Sequence, residues 1–354
     1  MPEARTKVLH CAPSLGIGGT EKVMQFFAET LDPKRFDVAV FSPQDGPRAP
    51  MLRASGIATF IGGDLFAVLE RFKPQIVHIH RAGWPEPGTL KPLRLARIPI
   101  VVETNVFGRH DPSPEALVIT RTLFVSRFCL ERFHRTNAVP ENPERYSFLY
   151  NPVDTDFFAE AARTDRDFSR PVAARISRSD PGKWSGLALD FLPFLTARIP
   201  DFRYHIIGGI PQARDFVSQN GLEANVIFHD PVETDAEIAA FLDKASVLAH
   251  ANDTGESFGL VIAEAMACGL PVVTHPAAGE RDNAQLELVD HGETGFVAHS
   301  AEEYAAALEW LFTHPEKAAE MGRKGREKAA SLYRRQTVTR QLESIYETLL
   351  EKRA

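Results

Sequence analysis

Short apolar runs rich in Val, Ile and Phe recur along the chain, and between them lie stretches whose apolar residues return every three or four positions. The first pattern predicts buried strands and the second predicts helices with one face on a core. The N-terminal part reads as strand 7–12, glycine-rich turn 13–19, helix 20–30 and strand 36–42, a βαβ unit. Further strands are predicted at 57–61, 75–80, 99–104, 123–126 and 146–150. The pattern lapses over 151–170, where Pro152 and several Asp and Arg residues mark a linker. A second series follows, with strands at 172–176, 202–207, 225–228, 245–250, 271–274 and 294–298 and helices at about 185–197 and 236–242. Alternation of this kind implies two α/β domains with mainly parallel sheets covered on both faces. The chain from 301 onward is helical, and the apolar positions Leu332, Tyr333, Val338, Leu342, Ile345, Tyr346 and Leu349 are assigned to a last helix, 331–351.

A length of 354 residues suits two cores better than one. The net charge of −7 argues against a general nucleic-acid binder. Cys11, Cys129 and Cys268 are far apart and without a CxxC pair, which reads as free thiols in a reducing cytoplasm. No His/Cys/Asp cluster has metal-ligand spacing along the sequence, so neither a metal nor a cofactor is expected. The N-terminus leads into an apolar stretch broken at Pro13, without a signal-peptide core, and no apolar run reaches a membrane-spanning length.

The candidate chemistry concentrates in Glu256-Ser257-Phe258-Gly259 and the run through Glu264 to Thr274. It reads as a loop, a buried helix and a strand. Glu256 is placed at the mouth of that helix and Glu264 a little over two turns in, about 12 Å apart along the axis. Such a span suits an elongated ligand with a polyol at each end, and the free N–H groups of a helix N-terminus favour phosphate between them. A second candidate is Arg175-Ile-Ser-Arg178 through Lys183, a basic loop at a strand end able to neutralise a departing diphosphate. The turn Gly16-Ile-Gly18-Gly19-Thr-Glu21 puts small residues before a helix, though it lacks the third glycine of the dinucleotide fingerprint.

Together these segments resemble the retaining glycosyltransferases of family 4. The resemblance implies the GT-B fold, two facing Rossmann-like domains with a donor cleft between them. It divides the chain into an N-terminal acceptor-side domain (1–151), a linker (152–170), a nucleotide-sugar-binding domain (171–330) and a terminal helix (331–354) that packs back on the first domain. It implies a hexosyltransferase that needs no metal and moves a sugar from a nucleoside diphosphate sugar to an acceptor. By the same resemblance Glu256 holds the donor sugar, Glu264 the ribose, and Arg175 and Lys183 the diphosphate, with Arg178 as a second contact. Gly18 and Gly19 face the donor phosphates, Ser257, Phe258 and Gly259 line the donor, and Val232 lies beside the base. Asn105 stands where many members carry a His against the donor sugar; either His110 or a residue of His78-Ile-His80 substitutes for it, or the chemistry needs no such base. The acceptor is left open among glycan, lipid and small molecule, as is peripheral contact with a membrane through Arg94, Arg97 and Arg109. Two other readings are kept: a GT-B nucleotide-sugar epimerase, and a sugar-nucleotide-binding or scaffold protein with impaired catalysis, suggested by Asn105.

Overall fold

The computed structural model describes residues 5–162 and 165–353; residues 1–4, part of the segment read for a targeting signal, and residues 163 and 164 of the expected linker lie outside them. The chain forms two compact units, one of residues 1–153 with 335–354 and one of residues 154–334.

Unit 1 contains seven strands: β1 (Thr6–Cys11), β2 (Phe36–Ser42), β3 (Ala58–Ile61), β4 (Ile76–Arg81), β5 (Ile100–Asn105), β6 (Arg121–Phe124) and β7 (Tyr146–Phe148). They pair in parallel in the order β3-β2-β1-β4-β5-β6-β7. Unit 2 contains β8 (Val172–Ile176), β9 (Arg203–Ile207), β10 (Val226–His229), β11 (Val247–Ala249), β12 (Val272–Thr274) and β13 (Gly295–Val297), again all parallel, in the order β10-β9-β8-β11-β12-β13. Each predicted strand coincides with one of these, shifted or trimmed by a residue or two at its ends. Strands β4, β5, β11 and β12 are buried along their whole length, and β8 nearly so, because helices cover both sheet faces at the centre of each sheet.

Both orders reverse direction once, between β1 and β4 in unit 1 and between β8 and β11 in unit 2. At such a point the loops leaving adjacent strands diverge to opposite sides and leave a crevice at the carboxyl ends, which is where open α/β sheets bind ligands.

Three expectations about the helices are corrected. The segment placed wholly in a linker includes the helix Thr155–Ala161, which starts at Asp154, whose side chain caps Phe157 N at 3.3 Å, and which belongs to unit 2. The helix expected over 185–197 is two short pieces, Leu187–Asp190 and Leu192–Thr196, with Pro193 at the start of the second. The last helix runs Arg335–Glu351, so Leu332 and Tyr333 belong to the end of the preceding helix, Pro315–Leu332, and to unit 2. Tyr333 is fully buried there with its ring edge-on to Phe258 at 5.2 Å.

The last helix is part of unit 1. Val338, Leu342, Tyr346 and Leu349 form its buried stripe. Glu343 accepts from Asp32 N at 2.8 Å and from Arg35 Nη1 at 3.1 Å, Arg335 pairs with Glu29 at 2.9 Å, and Tyr346 Oη lies 2.6 Å from His78 Nδ1. Among the described residues no helix is long and apolar enough to cross a membrane.

Candidate functional site

The crevice of unit 2 is bordered by the chain leaving β8 (177–186) and the chain leaving β11 (250–259). The first is held close to the sheet by Gly208, whose positive φ (84°) and missing Cβ let the end of β9 pass beneath it; a Cβ there would stand 1.9 Å from Ser177 O. Trp184 Nε1 donates to Gly208 O at 3.1 Å, and Asp180 caps the short turn Pro181–Lys183 by accepting from Gly182 N at 2.9 Å. Lys183 is thereby fixed at the end of a stiff loop.

Glu256 stands on the opposite border. Gly255 precedes it with φ of 67°, and a Cβ there would fall 1.5 Å from Asp282 O, so only glycine fits. The Glu256 backbone N–H donates to Gln285 Oε1 at 3.0 Å and its carbonyl accepts from Ala284 N at 2.9 Å. Its carboxylate accepts from Asn252 Nδ2 at 2.6 Å, lies 3.2 Å from His250 Nε2, and pairs with Lys183 Nζ at 3.5 Å. Burial pushes this carboxyl up, but the hydrogen bond from His250 and the charge of Lys183 outweigh it and hold the group at about 2. With 19% of its side chain exposed, Glu256 is a fixed, ionised acceptor that a ligand can still reach. Lys183, 27% exposed, offers a cation beside it.

Several deeply buried polar atoms at the same strand ends have no protein partner: Arg175 Nε, His250 Nδ1, Thr274 Oγ1 and His275 Nε2. The backbone places them together, since His250 N bonds Val273 O at 2.8 Å and Arg175 Nη1 bonds Ala251 O at 2.6 Å. Polar atoms left so are uncommon in folded interiors and concentrate where a water or ligand completes them.

Arg175 departs from its expected position. It is 1% exposed, with Nη1 on Ala251 O and Nη2 on Lys183 O at 2.8 Å, and its guanidinium lies 4.4 Å from the Trp184 ring centroid. A guanidinium committed to two carbonyls and an indole braces the two loops against each other. Arg178, on the same loop, is exposed.

The helix after Glu256 is shorter than expected. It spans Leu260–Ala267, because Gly259 caps it at φ 104°, a left-handed conformation that cannot continue a helix upstream. Glu256 and Ser257 therefore lie in the loop, and Glu264 is little more than one turn in, buried (2% exposed). The Phe258 side chain is core, packed on Tyr333, so only its backbone borders the loop. Val232 is half-buried after the edge strand β10.

In unit 1, Gly18 is the N-cap of the helix Gly19–Thr30, and the Glu21 carboxylate folds over it, accepting from Ser14 Oγ at 2.7 Å. A Cβ on Gly18 would meet Glu21 Oε2 at 2.1 Å. Asn105 is buried, and both ends of its amide are taken by Arg109, Nδ2 donating to the carbonyl at 2.9 Å and Oδ1 accepting from the N–H at 3.2 Å. It staples its own loop. His110 is exposed, with its ring edge-on to Phe133 at 5.8 Å.

The β1–β4 pairing sets His10 beside His78, which brings His10, His78 and His80 into one buried cluster whose ligating nitrogens lie within 4.8 Å of one another. Sequence spacing does not show this grouping, because 68 and more residues separate its halves. His10 Nδ1 is 3.0 Å from His80 Nε2, and His78 Nε2 is 2.8 Å from Thr104 Oγ1. The His78 and His80 rings are stacked 4.3 Å apart at 19°, so their lone pairs point along nearly parallel planes, and both His78 nitrogens are already bonded. A metal here would have to break those bonds. Burial lowers all three histidines, His10 to about 3, so the cluster is neutral.

Asn252 and His250 are the site residues that sequence reading missed. The available signal was position: they follow β11 directly, at the carboxyl end of a central strand.

Comparison with known proteins bears on the same residues. Residues 160–328 match the family model described as glycosyl transferases group 1. The phosphatidyl-myo-inositol mannosyltransferase of Mycobacterium tuberculosis is 32% identical over 233 residues, 62% of this chain and 58% of that protein. The GDP-mannose-dependent alpha-(1-6)-phosphatidylinositol monomannoside mannosyltransferase of Mycolicibacterium smegmatis is 33% identical over 221 residues, 57% of this chain and 56% of that protein. The chain thus matches little more than half the length of these relatives. Among solved structures, HepE of Anabaena in complex with UDP and glucose aligns with a TM-score of 0.76 at 20% identity, covering 97% of this chain and all of that one, a likeness of fold. Residues 160–328 are thus similar to the glycosyl transferases, group 1, and the two Rossmann-like units have the GT-B fold.

Proposed function

We propose that this protein is a retaining glycosyltransferase whose unit 2 holds a nucleoside diphosphate sugar and whose chemistry needs no metal. The observation that carries the reading is the Glu256 carboxylate, held ionised and reachable beside Lys183 at the switch point of the unit 2 sheet. A fixed carboxylate orients a sugar by accepting its hydroxyl hydrogens, and an ammonium offers charge to a departing phosphate. In this reading the bond from the sugar to the diphosphate breaks with its electron pair leaving on the phosphate oxygen. The acceptor oxygen bonds the same face of the sugar, and its proton passes to that phosphate oxygen. Lys183 and the exposed Arg178 meet the developing charge, Glu264 holds the ribose, and the backbone at Ser257 to Gly259 and at Val232 lines the nucleotide. Arg175 acts through Lys183, whose carbonyl it holds.

The relatives' names support a nucleotide-sugar donor with either guanine or uracil as base, GDP-mannose for the M. smegmatis protein and UDP in the HepE complex. They also favour an acceptor built on inositol or another polyol. The three buried free thiols suit work in the cytoplasm.

The test is calorimetric titration of the protein with GDP-mannose and UDP-glucose, followed by transfer to a panel of polyol acceptors in EDTA, with the anomeric configuration read by NMR. One donor should bind saturably, Lys183→Ala should weaken it, and the product should keep the donor's configuration. An inverted product would end the retaining reading, and binding without turnover of any acceptor would favour the binding-protein reading, which the commitment of Asn105 to its own loop keeps in view.

A further inference from the structure

Trp84 is 52% exposed, the most exposed of the three tryptophans, yet the loop that carries it is tied down from below. Arg81, at the end of β4 and 3% exposed, donates through Nη1 to the Trp84 carbonyl. The same guanidinium bonds Glu103 Oε1 at 2.7 Å and Asp111 Oδ2 at 3.0 Å, and Thr122 Oγ1 donates to Glu103 Oε2 at 2.8 Å. Gly83 has φ of 92°, and a Cβ there would stand 2.4 Å from Asn105 Nδ2. Asn105 in turn fixes Arg109, whose guanidinium lies over the Trp84 ring, 5.0 Å from its centroid.

Three charged side chains are thus taken out of water to hold a loop whose tip exposes an indole. Such burial costs several kcal/mol per ion before pairing, and an exposed loop gains nothing from that rigidity unless its shape is used. Its place is informative as well. Arg81 ends β4, one of the two strands at the switch point of the unit 1 sheet, so Trp84 and Glu86 stand on the border of that crevice. The surroundings of the ring are polar: Arg109 and His110 are exposed and Glu86 is half-buried. An exposed aromatic ring beside a guanidinium, with a carboxylate two residues along the same loop, fits a polyhydroxylated ring, which presents C–H bonds on one side and hydroxyls at its rim.

We propose that Trp84 is the acceptor platform of this protein, on which the ring of a sugar or cyclitol stacks while Arg109 and Glu86 bond its hydroxyls. The proposal rests on the glycosyl-transfer reading and names the residues that would seat its polyol acceptor.

The experiment titrates the full chain with myo-inositol and with methyl α-mannopyranoside in the absence of nucleotide, read by saturation-transfer NMR and tryptophan fluorescence. A second titration with GDP and UDP is read separately. Wild type should bind at least one polyol with a change in indole emission. Trp84→Ala should weaken that binding about tenfold or more, Trp84→Phe should restore most of it, and Arg109→Ala should weaken it with the indole intact. Nucleotide affinity should stay within about twofold in all three variants. Equal polyol binding by wild type and Trp84→Ala would overturn the proposal, as would a wild type that binds neither polyol. Absence of nucleotide binding by the wild type would strike the glycosyl-transfer reading alone, because the polyol titration is read without nucleotide.

Discussion

Asn252 Nδ2 donates to Glu256 Oε1 at 2.6 Å, and through that bond a residue at the end of a central strand aims the carboxylate of a neighbouring loop. Asn252 is 3% exposed and itself bonded by Thr254 Oγ1 through Oδ1 at 2.9 Å, so its amide cannot turn away. Hydrogen bonds to a charged partner contribute roughly 1.5–3 kcal/mol. Asn252→Ala should therefore lower kcat by about tenfold to a hundredfold, with the melting temperature little changed, and Asn252→Asp should do worse because it sets like charges together. Steady-state kinetics with the cognate donor checks this; unchanged kcat in Asn252→Ala would remove Asn252 from the site.

The Glu256 carboxyl sits at about 2 against an ordinary 4.5, so the folded protein binds its proton less readily than the unfolded chain. The stabilisation is complete above about pH 4.5 and is lost as pH falls toward 2, an effect of a few kcal/mol at most. Denaturant unfolding of the wild type between pH 6 and 3 should show a steeper loss of stability than Glu256→Gln. Parallel curves would mean that the carboxylate is not held ionised.

Arg175→Lys separates bracing from diphosphate binding. A lysine keeps the charge but cannot bridge Ala251 O and Lys183 O while lying on Trp184, so the substitution should cost about 2–4 kcal/mol of stability. Arg178→Lys, on the exposed part of the loop, should leave stability unchanged and weaken nucleotide diphosphate binding. A stable Arg175→Lys variant that loses nucleotide affinity would reverse the two assignments.

His10, His78 and His80 predict a second pH dependence of the same sign. Their folded values lie below the ordinary 6.5, His10 at about 3, so the unfolded chain takes up protons first as the solution is acidified. Stability should be full above about pH 6.5 and decline below it, by about 1.4 kcal/mol per pH unit for each histidine that stays neutral. Imidazole nitrogen NMR at pH 5.5 should show all three rings uncharged, and a protonated ring in the folded protein would contradict the buried cluster.

Secondary structure and the class of fold were legible in the chain of letters. The thirteen strands among the described residues could be read, the central ones because a strand covered on both faces is a continuous apolar run and the edge ones from their apolar and β-branched residues between turn signals, and the alternation with helices implies parallel pairing. The segments that carry Glu256 and Lys183 stood out through their motifs, and the fold brings the two side chains within 3.5 Å of each other. Where each charge sits was decided by packing in three dimensions. Arg175, preferred in the sequence as the diphosphate contact, and Arg178 stand three residues apart, yet one packs into the core and the other faces solvent. The helix after Glu256 begins at Leu260 because Gly259 turns left-handed, a backbone choice that a string of letters does not fix. The break between Tyr333 and Arg335 likewise depends on which unit each side chain finds to pack in. His10 meets His78 and His80, and Asn252 meets Glu256, only through strand pairing and loop closure, which are distances in space that no local pattern of hydrophobic and polar residues encodes.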